Sequence, residues 1–187
     1  MSNRTKFLAK DSCFISSNSK IGKGCLIYPS VVIIDSIIGD NVTIQTGAII
    51  KDSSKIGDNC IIGPSALVRS NSVIGKNTVI GPGSEIKNSI IGNNSLIAHK
   101  NFIGDAEVGD NVNFGFGSCI ANYDFKKINK TYIGNNVKIG CNSTIISPIK
   151  IGDNSIIGAC SKITRDIKEN SFVKPKVKNR IKLYSKE

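Results

Sequence analysis

His99 is the single histidine in this chain of 187 residues, and its side chain is the first whose type suggests catalysis. Imidazole titrates near neutral pH, so it can accept a proton during a reaction. A lone histidine more often has a structural role. Here it lies between two shortened repeats, on the turn after the basic residue Lys87 and close to an inserted segment, and this setting favours a general base at His99.

Three cations form a second group with chemical potential. Lys51, Arg69 and Lys87 lie 18 residues apart, and each follows an aliphatic residue of a repeated pattern. The spacing therefore predicts that they stack on successive turns of one structure. Like charges that face each other across strands repel unless an anion or solvent relieves them. We expect a phosphate or carboxylate site near Arg69 and Lys87, with a solvated basic stripe as the alternative.

The elements that position these residues follow from an internal repeat. The phrase [IV]-G-[KDN]-[GN]-x-x-[IF] begins at residues 21, 38, 56, 74, 91, 108, 133 and 151, and aliphatic residues between these phrases keep a six-residue step. This period predicts a short strand followed by a corner, with three strands in each turn. Aliphatic side chains would point inward, and Gly and Asn would occupy corners because they tolerate positive φ. The predicted fold class is all-β, a triangular parallel β-helix of some eight turns.

The repeat fails at four places, and these are the places where a site can form. Three repeats are one residue short, those that open at Ile33, Ile86 and Ile103, while the repeat that opens at Ile120 runs thirteen residues to Ile133. The segment IANYDFKKINKTY, residues 120–132, must therefore leave the prism as a loop. Most insertions are tolerated surface loops, and that alternative stays open. A straight prism has no pocket, however, so chemistry is expected where the repeat is disturbed.

Composition limits the classes of partner. The chain has 25 Lys and Arg against 14 Asp and Glu, a formal net charge of +11. It lacks a nucleic-acid recognition motif and interleaved aromatic residues, so small anionic ligands are favoured over nucleic acid. We also expect no membrane span and no secretory signal, and hence a cytoplasmic location, because no long apolar run is present.

The six cysteines indicate neither a zinc cluster nor a disulfide framework. No Cys-x-x-Cys pair occurs, and only one histidine is available as a further ligand, so no metal is expected. Cys25 and Cys60 fall on a repeat position that takes small inward side chains. We therefore predict that both fill the core.

The regular repeats from Ile15 to Lys168 resemble the hexapeptide-repeat acyltransferases, whose prisms are left-handed and trimeric. The run from Arg69 to Arg165 is most similar to the glucosamine-1-phosphate N-acetyltransferase domain of the bifunctional enzyme that makes UDP-N-acetylglucosamine. The stretches that carry this similarity are AHKNFIGDAEVGDNVNFG, ANYD and KTYIGNNVKIG. The resemblance implies a left-handed β-helix over residues 1–168 and a homotrimer with sites between subunits, and the local excess of basic residues predicts a basic tail over residues 169–187. Without a preceding nucleotidyltransferase domain, a freestanding transferase is expected.

The resemblance also implies roles for individual residues. The co-substrate would be acetyl-CoA and the acceptor an amino sugar, with glucosamine 1-phosphate as the first to try. His99 would take the proton from the sugar amine, and Asn122 would help to hold the sugar and the reacting centre. The residues implied to bind the sugar substrate are Arg69, Lys87, Phe102, Asn113, Tyr123 and Lys127. Those implied to bind the coenzyme are Phe116, Cys141, Ala159 and Lys176.

Several positions depart from the family pattern. Phe102 replaces a tyrosine and Ile128 a lysine that would help to bind phosphate, although Lys126 or Lys127 could substitute for the latter. Phe116 stands where a small residue borders the acetyl group, and Cys141 where serine is usual. These changes support a second interpretation, acetylation of another amino sugar or of a sugar hydroxyl in a surface polysaccharide. A third interpretation is a β-helical scaffold without catalysis. Carbonic anhydrase activity, known on similar prisms, is not expected because its metal needs three histidine ligands and this chain has one histidine.

Overall fold

The structure is a computed structural model that describes residues 4–175. These residues form a left-handed parallel β-helix of about nine turns, so the predicted fold class and the handedness implied by the resemblance are confirmed. Each strand has two or three residues, and the chain passes through three sheets in turn. The one helix among the described residues is the 3-10 turn Lys10–Ser12, and none in this part of the chain is long and apolar enough to cross a membrane.

The three faces of the prism are three parallel sheets. The strands of sheet 1 are Lys6–Phe7, Leu26–Ile27, Thr43–Ile44, Ile61–Ile62, Val79–Ile80, Leu96–Ile97, Asn113–Phe114, Lys138–Ile139, Ile156–Ile157 and Phe172–Val173. The strands of sheet 2 are Phe14–Ile15, Val32–Ile33, Ile49–Ile50, Leu67–Arg69, Glu85–Lys87, Phe102–Gly104, Cys119–Ala121, Thr144–Ile146 and Lys162–Ile163. The strands of sheet 3 are Lys20–Ile21, Ile37–Ile38, Lys55–Ile56, Val73–Ile74, Ile90–Ile91, Ala106–Val108, Thr131–Ile133 and Ile149–Ile151. The last strand of sheet 1 continues the β-helix beyond residue 168.

The core consists of stacked inward side chains. In sheet 1, Ile44, Ile62 and Ile80 are in register on successive turns and are fully buried. β-Branched side chains suit this position because they favour extended backbone, and each buried isoleucine contributes about 1.5–3 kcal/mol. Cys25 and Cys60 are also buried, which confirms that they fill the core.

The corners use asparagine and glycine for different reasons. Asn59, Asn77 and Asn94 have φ of 58°, 56° and 53°, and each of the first two donates an amide hydrogen bond to the next, at 3.1 and 3.0 Å. The prediction of positive φ is thus confirmed for asparagine. It is also confirmed for four glycines, Gly24, Gly47, Gly83 and Gly117. For the second residue of the repeated phrase it is wrong: φ of Gly75 is not positive, and a Cβ there would lie 2.6 Å from the carbonyl carbon of Gly92. Glycine is needed because adjacent turns approach closely.

All four irregular repeats lie at one corner, where the chain passes from sheet 2 to sheet 3. The inward columns run from Ile33 to Ile38, Ile86 to Ile91, Ile103 to Val108 and Ile120 to Ile133. The predicted short repeats and the insertion are therefore confirmed. The corner between sheets 1 and 2 keeps a step of six residues from Ile27 onward, but its first turn takes eight residues, from Phe7 to Ile15, and contains the 3-10 turn.

Candidate active site

The predicted cations stack on sheet 2. Arg69 and Lys87 are direct neighbours in the parallel register, and Lys51 occupies the same position one turn earlier, where its amide donates to Val68. The stacking inferred from the spacing of 18 residues is confirmed.

The charges of this column are balanced by carboxylates from the chain itself. Arg69 donates from Nε to Glu85 Oε1 at 2.8 Å, and its Nη2 lies 2.7 Å from the same oxygen. Lys87 Nζ lies 3.3 Å from Asp105 Oδ2. The repulsion is therefore relieved within the chain, and the phosphate or carboxylate site expected near Arg69 and Lys87 stays a prediction. Both side chains still keep an accessible surface, 30% for Arg69 and 24% for Lys87, so both can contact a ligand.

Asp105 is the buried centre of a polar cluster at the corner between sheets 2 and 3. Its carboxylate accepts hydrogen bonds from Asn88 Nδ2 at 2.5 Å and Asn122 Nδ2 at 2.6 Å, beside Lys87. Burial alone would raise the pKa of Asp105, but these amide donors and the ammonium group lower that pKa below its ordinary value. Asp105 is therefore ionised in the folded protein at neutral pH.

The inserted segment is a short antiparallel hairpin, which the sequence pattern did not indicate. Tyr123 bridges Ile128, and the amide of Asn129 donates to the carbonyl of Asn122 at 2.7 Å. Asp124 holds the turn because its carboxylate accepts from the amides of Lys127 and Lys126 and from Asn129 Nδ2. These donors lower the pKa of Asp124 to about 2.

The hairpin presents aromatic and basic side chains to solvent. Phe125 is 90% exposed and has φ of 68°, a strained angle for a bulky residue. Tyr123 and Lys127, which the resemblance assigns to substrate binding, are also exposed. Tyr123 and Phe125 are in edge contact, with ring centroids 6.0 Å apart. The hairpin therefore offers a defined surface rather than a loose loop.

His99 lies at the other edge of sheet 2, at the corner with sheet 1. It is exposed, and it stacks between Pro82 and Phe116: the amide of Lys100 donates to the carbonyl of Pro82, and that of Gly117 to the carbonyl of His99, each at 2.9 Å. Within residues 4–175 its imidazole makes no hydrogen bond or ion pair. Sheet 2 thus separates His99 from Lys87 and the hairpin, although adjacent turns carry them.

Three of the four residues implied to bind the coenzyme share this edge with His99. Phe116, Cys141 and Ala159 are exposed and occupy the same corner position on successive turns. The amide of Asn142 donates to the carbonyl of Phe116, and that of Cys160 to the carbonyl of Cys141, each at 2.8 Å. Lys176, the fourth, lies outside the described residues.

The corner that carries His99 has an altered backbone. Ala98 occupies a corner position that is glycine on the neighbouring turns, at Gly81 and Gly115, and a Cβ on Gly81 would overlap the carbonyl oxygen of Ala98. Gly81 is thus required beneath His99. Sequence reasoning missed this residue, although the change from glycine to alanine at one turn of the column is a visible signal.

Within one chain, the residues that the resemblance assigns to the site do not all lie close together. Phe102 lies on sheet 2 between Glu85 and Cys119, whereas Asn113 lies on the outer face of sheet 1 beside Leu96. A cavity of 330 Å³ borders the hairpin and includes Asp105, but His99 does not line it. Residues 4–175 contain no group of three or more His, Cys, Asp or Glu that could hold a metal ion.

Comparison with protein families and curated proteins gives consistent matches. A model of the bacterial transferase hexapeptide (six repeats) matches residues 35–70, 53–88 and 130–165. The chain is 44% identical over 168 residues to the bifunctional protein GlmU of Clostridium acetobutylicum, covering 90% of this chain and 36% of the relative. It is 47% identical over 160 residues to GlmU of Thermoanaerobacter pseudethanolicus, covering 86% of this chain and 35% of the relative. The chain thus spans about a third of the length of these relatives.

Solved structures share the fold at lower identity. The UDP-N-acetylglucosamine acyltransferase of Campylobacter jejuni has a TM-score of 0.78 at 22% identity, over 89% of this chain and 70% of that one. The UDP-N-acetylglucosamine acyltransferase LpxA of Bacteroides fragilis has a TM-score of 0.76 at 24% identity, over 86% of this chain and 68% of that one. These similarities agree with the β-helix described above.

Proposed function

Because this chain is a member of the hexapeptide-repeat family, we propose that it is an acetyl-CoA-dependent N-acetyltransferase acting on an amino sugar, with glucosamine 1-phosphate as the first candidate. The observation that carries the proposal is the exposed edge on which His99, Phe116, Cys141 and Ala159 stack. The identity of 44% to GlmU, over most of this chain, supports the same assignment.

In the proposed reaction, His99 acts as the general base. The sugar amine attacks the thioester carbonyl, the C–N bond forms, and the imidazole accepts the proton that the amine loses. The C–S bond then breaks, and the imidazolium returns its proton to the leaving sulfur, so that coenzyme A leaves as its thiol. An exposed imidazole that has no hydrogen-bond partner among residues 4–175 suits this role because it can contact the incoming amine. No covalent acyl-enzyme is required.

Asn122 and the cations would hold the acceptor. Because Asn122 Nδ2 is bound to Asp105, its Oδ1, which accepts no hydrogen bond within residues 4–175, is left for the sugar. Arg69 and Lys87 would bind the phosphate with their accessible faces, since guanidinium and ammonium groups are strong donors to phosphate oxygens. Phe102, Tyr123 and Lys127 would border the sugar.

The distribution of the site residues supports a homotrimer with sites between subunits. Asn113 lies on sheet 1, whereas the cations and the hairpin lie along sheet 2. A second subunit that brings its sheet 1 against this face would add Asn113 to the site. The coenzyme would lie along the edge that begins at His99, with Lys176 proposed to contact a coenzyme phosphate.

A second acceptor class is favoured by two specific positions. Phe102 and Ile128 carry no polar group toward a phosphate, and Glu85 and Asp105 already balance the two cations. These features suit another amino sugar, or a sugar hydroxyl of a surface polysaccharide. Acetyl transfer and the base would be unchanged.

Release of coenzyme A thiol from acetyl-CoA tests the proposal. The acceptors are glucosamine 1-phosphate, glucosamine and nucleotide-linked amino sugars, and the variants are His99→Ala and Pro82→Ala. We expect kcat to fall by about 10²- to 10⁴-fold in His99→Ala, the usual contribution of a general base. Pro82→Ala, at the same exposed corner position one turn earlier, should retain activity. Unchanged turnover in His99→Ala would exclude the assigned base, and absence of turnover with every acceptor would favour a scaffold.

A further inference from the structure

Asp105 differs from the other acidic residues near the site because it is buried. Its residue is 8% exposed and lies in a shortened repeat, with φ of 53°. One carboxylate oxygen accepts from Asn88 Nδ2, and the other accepts from Asn122 Nδ2 and lies 3.3 Å from Lys87 Nζ. A single carboxylate thus contacts both a proposed phosphate ligand and a proposed acceptor ligand.

The backbone of Asp105 connects the same parts of the structure. Its amide donates to the carbonyl of Lys87 at 3.0 Å, and its carbonyl accepts from the amide of Thr131 at 3.2 Å. Asn122 and Thr131 lie at the entrance and exit of the hairpin, so Asp105 contacts both of its ends. The parallel register of Glu85–Lys87 with Phe102–Gly104 places Asp105 beside Asn88 on the neighbouring turn.

The neighbouring ion pair, between Glu107 and Lys130, differs from the Asp105 cluster because it is exposed. Glu107 pairs with Lys130 at the hairpin exit, and both side chains are nearly half exposed. An exposed pair of this type contributes little to stability or orientation. Removal of a buried acceptor, in contrast, leaves its donors unpaired in a site of low dielectric.

We propose that Asp105 is a positioning residue, which anchors the hairpin to the prism and fixes Asn122 and Lys87 in the orientations that the reaction needs. The anchoring follows from the contacts alone. The catalytic consequence rests on the proposed function, because it assumes that Asn122 and Lys87 contact the acceptor.

Two substitutions of Asp105 and one control separate the contribution of its hydrogen bonds from that of its charge. Asp105→Gly removes every side-chain acceptor at a backbone angle that glycine adopts readily. Asp105→Asn retains an amide oxygen that accepts from Asn122 Nδ2, and it removes the charge opposite Lys87. Its amide NH2 then faces Asn88, whose own amide must turn to present Oδ1 as the acceptor. Glu107→Gln is the matched control, an exposed acid two residues away that also contacts the hairpin.

Trypsin cleavage after Lys126 and Lys127 measures anchoring without any assay of activity. We expect Asp105→Gly to be cleaved there about tenfold faster than the wild type, the effect of losing one or two charge-assisted hydrogen bonds. Asp105→Asn and Glu107→Gln should stay within about twofold of the wild type, since the hydrogen bonds that hold the hairpin remain.

Steady-state kinetics measure positioning. In Asp105→Gly we expect kcat to fall at least about tenfold at a temperature well below its melting midpoint, because Asn122 loses its support. Hairpin cleavage at the wild-type rate, or an unchanged kcat, would each overturn the proposal. If the wild type transfers acetyl to no acceptor, the proposed function fails, and the proteolysis alone then decides whether Asp105 anchors the hairpin.

Discussion

Arg69 and Lys87 each combine a fixed ion pair with an accessible face. The carboxylates of Glu85 and Asp105 restrict the two cations, which lowers the entropy that they lose when a phosphate binds. The cost is a weaker net positive charge at the site. Binding of a phosphorylated sugar would therefore depend on geometry more than on long-range attraction.

The phosphate assignment predicts a selective change in KM. For Arg69→Gln and Lys87→Gln we expect KM for glucosamine 1-phosphate to rise about tenfold, with kcat changed little, because a phosphate contact held equally in the ground and transition states is lost. KM for glucosamine should stay constant. Lys51→Gln, in the same column one turn earlier, is the control. Equal effects on both acceptors would contradict a phosphate role.

At the scale of the elements, close approach between turns sets the stability of the corners. A Cβ at Gly75 would lie 2.6 Å from backbone of the next turn, whereas one at Gly47, with φ of 70°, would meet only Ser65 Oγ at 3.5 Å. We expect Gly75→Asn to lower the free energy of unfolding by about 2 kcal/mol or more, since backbone must move, and Gly47→Asn by less than about 1 kcal/mol. Urea unfolding measures both. Similar losses would show that close approach is not the reason for glycine.

The turn of the hairpin contains a carboxylate, Asp124, whose protonation should weaken the turn. Asp124 accepts three hydrogen bonds as a carboxylate, and its pKa is lowered to about 2 by the backbone amides of Lys127 and Lys126 and by Asn129. A depressed pKa means that the stabilisation is present above the ordinary pKa of about 3.9 and is lost as pH falls toward about 2. We therefore expect the NMR amide signals of Lys126 and Lys127 to titrate with a midpoint near 2. Asp124→Asn should abolish that titration, and a midpoint near 4 would contradict the structure.

For the whole molecule, the period of the sequence was sufficient to predict the β-helix and four irregular repeats between Ile33 and Ile133, but not the longer step from Phe7 to Ile15. Inward isoleucines every six residues leave few other ways to bury the chain. The partners of Arg69 and Lys87 could not be predicted, because they lie on other strands and become neighbours only when the turns are superposed. The hairpin could not be predicted either, because its bridge between Tyr123 and Ile128 depends on local hydrogen bonds rather than on a hydrophobic pattern.

The outer faces of the prism suggest how copies of the chain associate. Large apolar side chains are exposed along sheet 1, namely Ile61, Leu96, Ile156 and Phe172. Asn113 and Lys138 divide these side chains into two apolar groups on one face, and exposed apolar groups of this kind suit an interface between proteins. Together with the separation of Asn113 from the cations, they favour the proposed trimer, for which sedimentation equilibrium should give about three times the subunit mass of 20.0 kDa.

Mixed trimers test whether the site is shared between subunits. His99→Ala removes the proposed base, and Asn113→Trp places a bulky indole on the outer face of sheet 1, where it would block the acceptor without entering the core. Each variant alone should be inactive. If every site takes His99 from one subunit and Asn113 from another, random mixing in equal amounts leaves about a quarter of the sites intact, and coexpression should restore about that fraction of wild-type activity. A mixture no more active than its parents would mean that both residues act within one chain.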